Sequence, residues 1–207
     1  MARQVKAKVA IPIGLDNVYI APLLTDTEEG TTYETPEFCA RAIKATMEPI
    51  LSEGTLDSDD EVEIDESMII GYTVSFEASQ LDDYMRAKIF GHQIDQNGGL
   101  IVSKNDKAPE LALLFRSMLS DKKNYKYTVL YKGKFKPNSE EYETAKREGI
   151  TYKTESAIEG NFYCRTSDGV AKYSLRSDNP EASADIISKW FTTVQQPADI
   201  AEVEPGP

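Results

Sequence analysis

The chain is short of the side chains that enzymes use to move protons and groups. Its 207 residues hold one histidine, His92, two cysteines, Cys39 and Cys164, and one tryptophan. Acid-base and nucleophilic catalysis need groups of tunable proton affinity set against one another, and no Ser, His and Asp set can be assembled here except around His92. That histidine follows Gly91 at the end of an expected helix, where a polar surface role is the ordinary one. The cysteines lie far apart in strand-like segments, and only Arg165, beside Cys164, resembles the charged neighbour of a reactive thiolate. Neither a disulfide framework nor a zinc site follows. The expectation is a chain that is not an enzyme, with no catalytic residues, no cofactor and no metal.

Long apolar runs are missing too. No stretch of about 18 apolar residues occurs. The basic start, residues 2–11, imitates a leader only until Pro12 and Gly14 interrupt it. A soluble chain made in the cytoplasm, without a membrane partner, is expected. Positive charge is also scarce, with 23 Lys and Arg against 35 Asp and Glu and a net charge of -12. Lys and Arg supply most of the affinity for nucleic acid, so a nucleic-acid binder is excluded by sign. An acidic wall lets DNA slide past, although acidity also serves plain solubility. No phosphate-binding glycine loop is present, since Gly98-Gly99 precedes a strand and not a helix.

What is present reads as one β-rich domain. Eleven tyrosines and seven phenylalanines suit sheet surfaces. Residues 1–13 read as an N-terminal arm, 14–194 as the domain, and 195–207, Pro-rich and acidic, as a flexible tail. A first strand falls at 17–24, with a turn at 25–30. A strand at 36–50 ends at Pro49, and another at 67–79 sets Ile70, Tyr72, Val74, Phe76 and Ala78 on one face. A short helix follows Ser79 as cap, with Leu81, Tyr84, Met85 and Lys88 on one side and Gly91 as stop.

The Asn97-Gly98-Gly99 turn leads into 100–102, and a long pair at 110–119 and 123–136 follows. In the second of that pair, Tyr125, Tyr127, Val129, Tyr131, Gly133 and Phe135 alternate with Lys126, Thr128, Leu130, Lys132, Lys134 and Lys136, so an aromatic face and a basic face are expected. A helix is read at 139–147. Strands at 151–166 and 170–176 meet at an Asp168-Gly169 hairpin turn. A last helix starts at Pro180 and carries Ile186, Ile187, Trp190, Phe191 and Val194 as its apolar stripe.

Charge is distributed unevenly. The acidic loop, residues 51–66, contains Glu53, Asp57, Asp59, Asp60, Glu61, Glu63, Asp65 and Glu66 and no basic residue, and such a run repels itself into extension. Its alternation lacks the sixth-position glycine and flanking helices of an EF-hand loop. The second half carries Lys122, Lys123, Lys126, Lys132, Lys134 and Lys136. Opposite signs on one subunit suit head-to-tail contacts, which close into rings or run on as filaments. The plainer reading is a solvated loop and a lysine-guarded strand edge. An alternative use of Tyr125, Tyr127 and Tyr131 is a β-sandwich module that binds carbohydrate or protein.

Several segments, in order, resemble the major tail protein (tail tube protein) family of long-tailed bacteriophages of the siphovirus type. They are Gly14-Leu15-Asp16-Asn17-Val18-Tyr19, Gly91-His92, Ala108-Pro109-Glu110-Leu111-Ala112-Leu113, Lys126-Tyr127-Thr128-Val129-Leu130-Tyr131-Lys132-Gly133-Lys134-Phe135, and Tyr173 with Asp178-Asn179-Pro180 ahead of Ile187-Ser188-Lys189-Trp190-Phe191. The resemblance spans residues 10–194 and is weakest in the acidic loop and the tail. It implies a mainly β (α+β) sandwich or partial barrel with a flanking short helix, a C-terminal helix and extended arms. The implied role is a virion tail tube subunit, assembled in the host cytoplasm, whose hexameric rings stack into the tube that delivers phage DNA. Implied partners are further copies of the chain and the tail terminator, tape measure and baseplate proteins, with DNA passing through the lumen without specific binding. A tube subunit of a related injection machine fits the same residues. The acidic loop is then expected to join successive rings, with the lysine-bearing strand as counter-charge.

Overall fold

Strand alternation becomes one long antiparallel sheet. The computed structural model describes residues 9–58, 61–142, 144, 154 and 156–198, and for 54–58 and 61–66 it describes the backbone alone. In chain order the strands are β1 (Pro12–Thr27), β2 (Gly30–Tyr33), β3 (Glu37–Ala40), β4 (Ala42–Ser58) and β5 (Glu61–Ala78), then helix α1 (Asp83–Phe90) and strands β6 (Gln93–Ile94), β7 (Leu100–Ile101), β8 (Leu111–Leu119), β9 (Tyr125–Phe135), β10 (Ile158–Tyr163) and β11 (Lys172–Arg176), and last helix α2 (Ala184–Ser188). The nine-stranded sheet runs β2-β1-β8-β9-β10-β5-β4, with β3 also on β1 and β11 also on β9. The fold is mainly β, as expected. The sheet curls on itself in the manner of a sandwich and stays open, without closing into a barrel.

Both faces carry a core. Ile20, Phe76, Leu113, Leu130, Phe135 and Phe162 pack with Met85, Ile89 and Phe90 of α1. On the other face Leu114, Tyr127, Val129, Tyr131 and Trp190 pack with Ile186, Ile187, Phe191 and Val194 of the C-terminal segment. The two clusters divide β9 in an unexpected place. Leu113 stands opposite Leu130 but Leu111 opposite Gly133, so β9 holds one extra residue there. That bulge reverses the alternation and sends Phe135 to the same side as Leu130, away from Tyr131. The expected single aromatic face is therefore two half-faces.

The bulge also sets up a close aromatic fit. Gly133 lies opposite Phe162, and Gly160 opposite Phe135. Each glycine lets the partner's ring lie on the sheet, since a Cβ on Gly133 would come within 2.4 Å of the Phe162 ring. A second bulge lies in β1. Register shifts between Asp16 and Tyr19, and Asn17 takes φ 52 there, a conformation Asn tolerates better than most residues.

Several expectations yield to tertiary context. Pro49 does not end its strand. It sits opposite Tyr72 in β4, the last strand of the sheet, where a missing N–H costs no ladder bond. The span 36–50 is broken at Arg41, where the chain leaves β1 for β5 and the Arg41 carbonyl accepts from the Ser79 amide. Asp82, not Ser79, caps α1 by accepting from Met85 N at 2.7 Å, and Gly91 closes the helix at φ 74. Of 139–147, residues 139–142 are not helical and most of the rest lie outside the described residues. Of 151–166, only β10 is strand, and 151–153 and 155 lie outside the described residues.

Asp168-Gly169 makes no hairpin. β10 and β11 both run antiparallel to β9, one opposite 132–135 and the other opposite 126–130. The chain thus leaves the same edge for a short excursion and returns to it. The final helix is shorter than read: Ser183 caps α2, while Pro180 lies in a preceding turn. The expected arm and domain meet inside β1, which begins at Pro12.

Candidate assembly surfaces

The acidic run forms the outer half of a two-stranded ribbon. β4 and β5 stay paired past Glu53 opposite Ser67 and Thr55 opposite Asp65 to Ser58 opposite Glu61. Glu53 is exposed. Asp57, Glu61, Glu63, Asp65 and Glu66 are placed by backbone only, and Asp59 and Asp60 lie outside the described residues. β10 accompanies β5 only as far as Tyr163 opposite Gly71, with one more bond from the Cys164 amide to the Ile70 carbonyl. Beyond that, the ribbon has no third strand among the described residues. At its root Leu51, Met68, Ile69 and Ile70 are exposed beside Tyr163. A bare two-stranded ribbon is marginal in water, and an unpaired edge with apolar neighbours invites another chain.

Register fixes its direction. Tyr163 lies opposite Lys132 and Gly160 opposite Phe135, while Gly71 lies opposite Tyr163 and Phe76 opposite Ile158. Falling residue number along β5 therefore runs toward the Tyr125 end of β9. The ribbon continues in that sense for roughly 33 Å at the usual strand rise.

The lysines do not form one patch. Lys122 and Lys123 occupy the turn before β9, at the end toward which the ribbon runs, and Lys126 is half-buried in β9 beside it. Lys132, Lys134 and Lys136 lie toward the opposite end. Lys132 Nζ donates to Asp26 Oδ2 at 2.6 Å, and Lys134 faces Glu110 at 3.5 Å. Lys136 has no carboxylate partner among the described residues.

Asp26 is a centre the sequence reading missed. Its side chain is 5% exposed and accepts from Lys132, from the Thr166 amide and hydroxyl, and from Thr31 Oγ1. Burial alone pushes the carboxyl up; Lys132, Thr166 and Thr31 together outweigh it and hold the group well below the usual carboxylate range. The network ties the β1–β2 hairpin to β9 and to the 164–171 excursion. Nearby, Arg165 is buried against Asp168 and lies 3.9 Å over the Tyr131 ring. In the sequence Asp26 is one polar residue in a turn and Arg165 a neighbour of a cysteine, so neither carried a signal.

The histidine is arranged otherwise than expected. His92 is not a surface group: its side chain is 8% exposed and its Nδ1 lies 2.7 Å from Asp106, because the left-handed turn at Gly91 carries the chain against Lys107. Burial pushes the Cys39 thiol up to about 12, opposite to what a nucleophile needs. Among the described residues, no group of three or more His, Cys, Asp or Glu could hold a metal ion. Tyr127 and Tyr131 are buried, and Tyr131 donates to the Gln195 carbonyl at 2.8 Å. They are core, with no ring face open to a sugar.

An open sheet, a charged ribbon and an exposed apolar root are the features of a structural subunit, with surfaces suited to pairing with another chain. Residues 49–174 match the phage tail tube protein family, and the chain belongs to that family of virion structural proteins. The match includes the acidic ribbon, the part in which the resemblance was expected to be weakest. Among curated proteins none matches the chain.

Proposed function

We propose that the chain is the major subunit of a phage tail tube, forming hexameric rings that stack into the conduit for DNA delivery. The observation that carries the reading is polarity: the acidic ribbon leaves the sheet in one direction, and Lys132, Lys134 and Lys136 lie toward the other. A subunit built this way repeats head to tail, and a heterologous contact that does not close grows into a filament. Neighbours within a ring join through the free sheet edges, which removes a standing aggregation hazard. Successive rings join through residues 53–66 and the 1–13 arm.

The net charge of -12 supports a lumen past which DNA slides without binding. No helix among the described residues is long and apolar enough to cross a membrane. The tail terminator, tape measure and baseplate proteins are the further partners of this reading, in a virion assembled in the host cytoplasm.

Negative-stain and near-atomic electron microscopy of concentrated protein tests it. Tubes of stacked six-fold rings are expected. A protein that stays monomeric at high concentration, or a tube with a basic lumen, overturns it.

A further inference from the structure

We infer that the end of β9 from which the ribbon points away holds the receptor for the ribbon of the next copy, a cleft whose working cations are Lys134 and Lys136. The inference rests on the stacking reading above and names where the contact falls. An open cleft of about 300 Å³ is lined by Glu110, Lys132, Lys134, Lys136, Asn161 and Tyr163, over a floor of Gly133 and Phe135. Its three lysines are not equivalent. Lys132 is engaged with Asp26, whose side chain is 5% exposed, and serves the subunit's own fold. Lys136 is exposed and has no carboxylate partner among the described residues.

Lys134 is intermediate. It faces Glu110 at 3.5 Å with side-chain exposures of 56% and 38%, a pair weak enough for an incoming carboxylate to displace. The cleft offers apolar surface as well, since Tyr163 is 45% exposed. The occupant suits it in composition: along 61–65 the sequence alternates Glu61, Glu63 and Asp65 with Val62 and Ile64.

Position along the strands, not charge sign, selects between the two lysine groups. Lys122 and Lys123 sit at the end toward which the ribbon points, so a copy translated along the strands brings its ribbon to the other group. Both ends of the contact belong to one chain, so each subunit receives one ribbon and offers one. Glu110 acts as the internal competitor. It holds Lys134 in place before assembly and weakens the cleft's attraction for carboxylates until a whole ribbon arrives.

The test uses the full chain and charge reversal on each side. Lys134→Glu with Lys136→Glu, and separately Glu63→Lys with Asp65→Lys, are expected to slow tube growth by about tenfold or more at low salt, the scale of electrostatic steering. All four changes together are expected to restore growth to within a few-fold. Growth is read by light scattering and tube length by electron microscopy, with circular dichroism confirming that each variant is folded. Glu110→Gln gives a readout of opposite sign: by freeing Lys134 it raises the salt concentration at which growth halves.

If ribbon reversal stops growth while cleft reversal does not, or if the fourfold variant stays inactive while folded, the cleft is not the receptor and stacking itself still stands. If ribbon reversal leaves tube length unchanged, the stacking reading fails with it. A Glu110→Gln variant with reduced salt tolerance also overturns the assignment.

Discussion

Replacing Asp26 by Asn removes one charge from the join between the β1–β2 hairpin and β9. The carboxylate accepts from Lys132 Nζ at 2.6 Å, from Thr166 N at 3.0 and 3.1 Å, from Thr166 Oγ1 at 2.9 Å and from Thr31 Oγ1 at 3.0 Å. Asparagine keeps one acceptor and turns the other into a donor aimed at donors. Removing one partner of a buried pair costs about 3–5 kcal/mol. Lys132 is still 23% exposed, so water recovers part of its charge, and a loss of about 2–3 kcal/mol is expected. For a chain of this length that lowers Tm by roughly 5–10 °C.

The pH dependence has a definite sign. The folded carboxyl is held below its unfolded value of about 3.9, so its contribution is complete above that value and is lost as pH falls through the folded pKa. Urea titrations at concentrations below assembly, from pH 7 downward, should show wild type and Asp26→Asn converging below about pH 4. In a cycle with Lys132→Met the double variant should lose at least about 1 kcal/mol less than the sum of the singles. A cost under about 0.5 kcal/mol, or parallel pH profiles, refutes the account.

Gly71→Ala would place a Cβ 2.2 Å from the Phe162 carbonyl oxygen, main chain that cannot swing aside, so a loss above about 3 kcal/mol is expected in denaturant titration. Gly14→Ala meets only Met118 Cβ at 3.8 Å and should lie within about 0.5 kcal/mol of wild type. Trp190, fully buried against Tyr127 and Tyr173, should cost about 3–5 kcal/mol when cut to Ala, measured by thermal unfolding followed by circular dichroism. A thiol reagent should label Cys164 in the native protein and reach Cys39, 6% exposed, only on unfolding.

What the sequence revealed follows from what each residue answers to. Ile70 to Ala78 and Tyr125 to Leu130 alternate because one neighbouring face is apolar and the other is not, and that is local information. The bulge after Leu130 answers to β8, Pro49 to its place at the edge of the sheet, and the 164–171 excursion to a β9 long enough to host two strands. None of these is written near the residue concerned. The acidic residues were legible as a set, and so were the lysines. Their division into two ends was not, because it depends on register through three strands, and neither was Asp26, whose partners are 5, 106 and 140 positions away.

The ribbon's root bears on how such a subunit grows. Leu51, Met68, Ile69 and Ile70 are already partly covered, with exposures from 38% to 68%, so burying the remainder is worth about 1 kcal/mol each, or roughly 4 kcal/mol per ribbon. Immobilising a free subunit costs an estimated 4–15 kcal/mol. A single ribbon contact therefore fails or barely breaks even, and the exposed ion pairs of the cleft add little. In a proposed six-membered ring that cost falls once on the ring, while the contact is repeated around it, so avidity makes stacking strong. Tubes should accordingly lengthen by whole rings after a lag that grows steeply on dilution. Lag-free growth proportional to monomer concentration would show instead that single subunits add on their own, and that the ribbon contact is several kcal/mol stronger than its exposed surface allows.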